Sequence, residues 1–205
     1  MHRTPTGRVR ITLASQVTLA RIAGVPVFVA LLIHYRSALA AGTPGDGYRW
    51  AALAVFLTVA LTDALDGWLA RRRNEVSDLG RLLDPVADKL LVVSSLVLLT
   101  RPGLSELQPQ FPVWFTVLLI SRDVFLVAGG AAVYATGRKL RVTPARSGKL
   151  ATLLTLAAIA AVLARWEGRG FDALILAAAL CTVDSWWRYA RDGLAQLHEA
   201  VQQQP

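Results

Sequence analysis

The chain has 205 residues, 54% of them hydrophobic, and a formal net charge of +8. That length suits one domain, and the single cysteine, Cys181, excludes an intramolecular disulfide. The apolar residues come in long runs with the basic residues beside them, which favours an all-α integral membrane protein meeting anionic lipid head groups over a soluble nucleic-acid binder.

Residues 1–10 carry Arg3, Arg8 and Arg10 among prolines and a glycine, the composition of a flexible basic tail. Ile11 to Leu39 is apolar, interrupted by Arg21. The basic start, the apolar run and the small residues near Ala40 resemble a secretory signal peptide, but Arg21, His34 and Arg36 count against one. The reading preferred here is a short surface helix leading into a first span at roughly 20–40. A turn follows at GTPGDG, 42–47. Further spans are expected at about 49–72, 79–100, 112–136, 148–164 and 171–189, the last ending in the interfacial aromatics Trp186, Trp187 and Tyr189. Between the fourth and fifth lies a basic loop with Arg138, Arg141 and Lys149. Residues 191–205 form a polar C-terminal tail. His34 and His198 read as interfacial and tail residues. The expected architecture is six transmembrane helices after a short N-terminal surface helix.

Six spans place both termini on one side of the bilayer. Of the 22 Lys and Arg, sixteen fall on that side, five on the other, and Arg122 lies within a span. The positive-inside bias therefore predicts a multi-pass protein of the inner (cytoplasmic) membrane with termini and active site facing the cytoplasm.

The stretch that carries chemistry is Asp63 to Asp88. Four carboxylates, Asp63, Asp66, Asp84 and Asp88, lie in or beside two apolar runs, and ionisable groups at such depth are costly enough to mark function. Positions three or four apart share a helix face. Asp63, Asp66, Gly67 and Ala70 thus lie on one face, and Gly80, Asp84 and Asp88 on another. The short charged connection between them predicts antiparallel neighbours that bring the carboxylates to one pocket. Oxygen-only ligation suits a hard divalent cation, Mg²⁺ or Mn²⁺, and not zinc. The small residues leave room for something flat or bulky.

Written with gaps, the stretch is D-x₂-D-G-x₂-A-R-x₈-G-x₃-D-x₃-D. It resembles the signature of the CDP-alcohol phosphotransferases at Asp63, Asp66, Gly67, Ala70, Arg71, Gly80, Asp84 and Asp88. Eight fixed positions arise by chance at ~10⁻¹⁰ per starting point. Nearer the N-terminus, Ser15, Thr18, Arg21 and Pro26 also stand in register with the family's pattern, with Thr12 where Asn is usual.

The resemblance implies transfer of a phosphatidyl group from CDP-diacylglycerol to an alcohol, with release of CMP, by a single membrane domain spanning 1–205. It implies two Mg²⁺ or Mn²⁺ ions held by Asp63, Asp66 and Asp84, with Asp88 as general base and further metal contact. It implies nucleotide contacts at Asp63, Gly67, Ala70, Arg71 and Gly80, and a homodimer. Arg138, Arg141 and Lys149 either grip an anionic acceptor or are ordinary positive-inside loop charge. Arg122 either binds the acceptor phosphate or pairs with Asp123 or a pocket carboxylate. Gly148-Lys149 resembles phosphatidylglycerophosphate synthases, whereas Ser121-Arg122-Asp123 resembles CDP-type cardiolipin synthases. Glycerol 3-phosphate leads as acceptor, then phosphatidylglycerol, then inositol phosphate or another alcohol. A divalent-cation or proton transporter is the competing class, but the sequence shows no inverted repeat or broken helix of the kind transporters use.

Overall fold

The computed structural model describes the backbone of residues 13–73, 78–100, 109–135 and 146–202, and the side chains of 23–62, 89–100, 109–129, 131 and 146–193. Within these residues it is all-helical. The elements are α1 (Leu13–Ala40), α2 (Asp46–Arg73), α3 (Asp78–Thr100), α4 (Val113–Ala135), α5 (Arg146–Leu163) and α6 (Arg169–Gln202). Three segments are long and apolar enough to cross a bilayer: Ala23–Ala40, Arg146–Leu163 and Arg169–Gly193. Lys89–Thr100 adds a shorter apolar helix.

The helix bounds follow the apolar runs to within a few residues, with three differences. The surface helix and first span expected at the N-terminus are one continuous helix over 13–40, with Pro26 inside it. Arg146 to Lys149 belong to the first turn of α5, not to the basic loop. The polar tail is helical through Gln202.

Among the described residues, α1 packs along both α2 and α3, α5 against α6, α2 and α3, and α4 against α6 and α3. The core is aromatic and branched aliphatic. Phe28 and Phe56 meet at 5.9 Å between ring centroids, and Phe111 lies 5.5 Å from Phe115 and 6.3 Å from Phe171. On α1 the buried positions 25, 28, 32 and 35 form a stripe at helical spacing. The opposite faces are also apolar: Val27, Ile33, Leu57, Leu153, Leu176 and Leu180 are exposed, and Val127 reaches 75% exposure. A helix that is apolar inside and out is suited to a hydrocarbon surround.

Three of the buried hydroxyls are satisfied within their own helices. Ser95 donates to the Leu91 carbonyl at 2.7 Å, Thr155 to Ala151 at 2.8 Å and Thr182 to Ala178 at 2.7 Å. No water is needed for them, as hydrocarbon surroundings demand.

The helix ends near residues 36–49 and 163–166 are closed by arginines. α1 ends in a Schellman turn, with Gly42 at φ 67° and bonds from Gly42 N to Leu39 O and from Thr43 N to Ala38 O. α5 ends the same way, but its left-handed residue is Arg165, at φ 54°. A non-glycine residue there is strained. It is tied down by its guanidinium, which donates to the Tyr35 hydroxyl at 3.2 Å and lies 3.6 Å from Asp46. Arg36 donates to the Leu98 carbonyl near the end of α3 at 2.6 Å. Arg49, only 6% exposed, donates to the last carbonyl of α5, Leu163 O, at 2.9 Å and to Asp46 at 3.2 Å, while lying over the Trp50 ring. Each places positive charge where a helix presents its negative end.

Arg49 is the most deeply placed of these. Arg49→Ala should lose about 1.5–3 kcal/mol of stability, since it removes a charged donor and leaves a helix-end carbonyl without its partner. The thermal unfolding midpoint in detergent should fall by about 2–4 °C per kcal/mol. An unchanged midpoint would show that the capping bonds contribute nothing.

Candidate functional site

The carboxylate signature falls on two helical segments. Asp63, Asp66, Gly67, Ala70 and Arg71 belong to the last turns of α2, and Gly80, Asp84 and Asp88 to the first turns of α3. A helical backbone is the condition that the three- and four-residue spacings require. The side chains of these eight residues lie outside the described residues, as does the connection 74–77. Arg138 and Arg141 lie outside them altogether.

The site becomes visible one residue beyond Asp88. Lys89, 55% exposed, forms an ion pair with Asp123 of α4. The other Asp123 oxygen lies 3.5 Å from Arg122 Nη1, and Arg122 Nη2 donates to Ser185 Oγ of α6 at 3.4 Å. The Arg122 side chain is only 12% exposed, and its Nε is buried with no hydrogen-bond partner among the described residues. Two long contacts and one unmet donor leave this guanidinium poorly satisfied, although ionisable groups in apolar helices normally carry close partners.

Arg122 lines a cavity of about 380 Å³ between α3, α4 and α5. Its polar lining is Lys89, Arg122, Asp123, Thr152 and Thr155; its apolar walls include Val93, Leu96 and Ile120. Positions 89, 92, 93 and 96 climb α3 along one face, so the cavity begins where the carboxylate series on that helix ends. Such a volume lies in the range of small-ligand pockets. With two cations to one anion, the polar cluster favours an anionic group there.

Of the two roles left open for Arg122, the pairing with Asp123 exists but is weak. Asp123 is engaged more closely by Lys89, and Arg122 Nε has no partner among the described residues. Lys149 is exposed on the first turn of α5, whereas its neighbour Gly148 is buried beside Arg122. Reasoning from sequence missed Lys89, Thr152 and Ser185, and it singled out Gly148 only as half of the Gly148-Lys149 pair, without its place beside Arg122. The one available signal was for Lys89, a second charge directly after Asp88 at the start of an apolar run. Small residues of α5 and α6 look alike until the fold pairs them.

The family model for CDP-alcohol phosphatidyltransferase matches residues 11–185. The chain is 41% identical over 125 residues to the CMP-forming cardiolipin synthase of Streptomyces coelicolor, covering 61% of this chain and 52% of that one. It is 37% identical over 155 residues to a probable phosphatidylglycerophosphate synthase of Mycobacterium tuberculosis, covering 75% and 66%. It is 33% identical over 186 residues to the CDP-diacylglycerol–glycerol-3-phosphate 3-phosphatidyltransferase of Bacillus subtilis, covering 86% and 92%. The match thus spans about half to two thirds of the first two relatives and most of the third. With the carboxylate signature on its two helices and a matched region covering most of the sequence, the chain belongs to the CDP-alcohol phosphatidyltransferase family.

Proposed function

We propose that this protein transfers the phosphatidyl group of CDP-diacylglycerol to glycerol 3-phosphate, giving phosphatidylglycerophosphate and CMP. The observation that carries the acceptor is the incompletely satisfied Arg122 guanidinium, in a cavity that starts one residue past the proposed base. The Bacillus relative, named for this reaction and matched over most of its length, supports the reading. A second reading is transfer to phosphatidylglycerol. It is favoured by the Streptomyces relative's name and by the apolar walls of the cavity, which suit a lipid acceptor.

The chemistry follows from the residues. Asp63, Asp66 and Asp84, with Asp88, form an all-oxygen donor set that suits two Mg²⁺ or Mn²⁺ ions. When bound, such ions supply charge neutralisation for a diphosphate and stabilisation of the attacking and leaving oxygens. Gly67, Ala70 and Gly80 leave a slot for cytidine, with Arg71 for phosphate. Arg122 holds the acceptor phosphate, with Arg138, Arg141 and Lys149 adding positive charge along its approach. Asp88 takes the proton of the acceptor hydroxyl. That oxygen forms the new bond to the phosphatidyl phosphorus, the phosphorus–oxygen bond to CMP breaks, and CMP leaves.

In this reading all six helices span the inner membrane as one domain, with both termini and the carboxylates at the cytoplasmic side, and the protein works as a homodimer. The positive-inside count and the apolar helices support the placement.

Asp63→Asn, Asp66→Asn and Asp84→Asn should each lower metal-dependent CMP release by orders of magnitude, because one lost charge weakens metal and diphosphate binding together. Asp88→Asn should still bind a cytidine nucleotide in the presence of Mg²⁺ but turn over about 10²- to 10⁴-fold more slowly, the usual loss for a general base. Near-normal CMP release in all three of the first set would make those carboxylates structural. If Asp88→Asn loses nucleotide affinity as badly as Asp66→Asn, Asp88 is chiefly a metal ligand.

Orientation is tested in a Cys181→Ala background. Asn74→Cys should react with an impermeant thiol reagent only from the cytoplasmic side, and Gly47→Cys only from the outside. The reverse pattern would invert the topology. For the acceptor, purified protein with CDP-diacylglycerol and Mg²⁺ should release CMP on addition of glycerol 3-phosphate. Turnover with phosphatidylglycerol alone would make the second reading correct.

A further inference from the structure

Arg122 leaves α4 and ends against α5 and α6. Ser185 of α6 is fully buried, and its hydroxyl accepts from Arg122 Nη2 at 3.4 Å. Gly148, in the first turn of α5, faces the same point. A Cβ at 148 would fall 2.9 Å from Ser185 Oγ, 3.2 Å from Arg122 Nη2 and 3.7 Å from the Tyr189 hydroxyl. The backbone at 148 is helical, so glycine is required there for space and not for conformation. Any side chain would have to displace either the hydroxyl or the guanidinium. The Gly148 carbonyl accepts from Thr152 Oγ1 at 3.1 Å, and Thr152 lines the cavity beside Arg122.

We propose that Gly148 and Ser185 are positioning residues for Arg122. Together they form a seat on the α5–α6 pair that fixes where the guanidinium stands at the cavity wall, and hence how tightly a phosphate-bearing acceptor is held. This rests on Arg122 holding the acceptor phosphate, as read above. The seat is steric on one side, at Gly148, and polar on the other, at Ser185. Two weak contacts hold the arginine loosely, so its position depends on the space left to it. A methyl group at 148 moves the tip of the side chain with little to pull it back. A shift on the order of 1 Å is enough to matter at a reacting centre.

The test is a mutant cycle on the full-length protein in mixed micelles with CDP-diacylglycerol and Mg²⁺, using whichever of glycerol 3-phosphate and phosphatidylglycerol supports turnover. Gly148→Ala should raise the acceptor KM about tenfold and leave the CDP-diacylglycerol KM within about twofold, the pattern of binding lost to one substrate alone. Ser185→Ala should raise the acceptor KM about threefold. In an Arg122→Lys background, which itself raises the acceptor KM, Gly148→Ala should add less than about twofold, because residues that act through one group are not additive. If Gly148→Ala costs the same factor in both backgrounds, or raises both KM values equally, the glycine serves helix packing only; the proposal then fails while the acceptor reading stands. If Arg122→Lys leaves the acceptor KM unchanged, the acceptor reading fails and the proposal with it. Should Gly148→Ala not yield folded protein, the Ser185→Ala and Arg122→Lys cycle decides by the same criteria.

Discussion

A charge inside an apolar helix has to be answered by the protein around it. Arg122 sits mid-way along α4, where a guanidinium facing lipid costs about 2.5–3.5 kcal/mol or more. The fold answers it within α4 through Asp123, which Lys89 of α3 also holds, and from α6 through Ser185. α5 contributes space at Gly148 in place of a bond. Four helices therefore converge on one cation, and the cavity exists because their side chains stop short of filling the volume around it. The arrangement is costly as pure architecture, since a neutral residue at 122 would need none of it. That cost is what singles the cluster out from ordinary helix packing.

The arginines near the other ends of α3 and α5 show the contrast. Arg36 and Arg49 spend their donors on carbonyls at helix ends, and Arg165 shares Tyr35 and Asp46. Their charges are matched to dipoles that the helices present in any case. They join α1, α2, α3 and α5 at those ends. The same residue type therefore does opposite work in the two places. In one its bonds are spent on the protein, and at Arg122 one donor has no partner among the described residues.

Much of the fold was legible because membrane helices are written as long apolar runs punctuated by glycine and proline. The GTPGDG turn is where α1 gives way to α2, and Trp166 to Gly170 is where α5 gives way to α6. The misreadings have local causes. Arg21 looked like an interruption, yet α1 runs through it and through Pro26, because apolar continuity outweighs a single charge or proline in such a helix. Arg146 to Lys149 read as loop because they are polar, although they form the first turn of α5. The carboxylates stood out by their spacing, and the structure shows the helical backbone in α2 and α3 that this spacing assumes. Ser185 carried no such signal, and Gly148 stood out only through its pairing with Lys149. Each is one small residue among charged or bulky neighbours, Gly148 before Lys149 and Ser185 before Trp186, and the pairing of α5 with α6 is what brings both to Arg122.

The ion pair between Lys89 and Asp123 has a mechanical side. Lys89 follows Asp88 in α3, and Asp123 follows Arg122 in α4. The pair is thus a cross-bolt whose two ends sit one residue from the proposed base and one from the proposed acceptor anchor. Helices in a bilayer tilt and slide to match the local thickness of the lipid. The pair is a contact between α3 and α4 at that level which opposes sliding of one helix past the other, beside both groups.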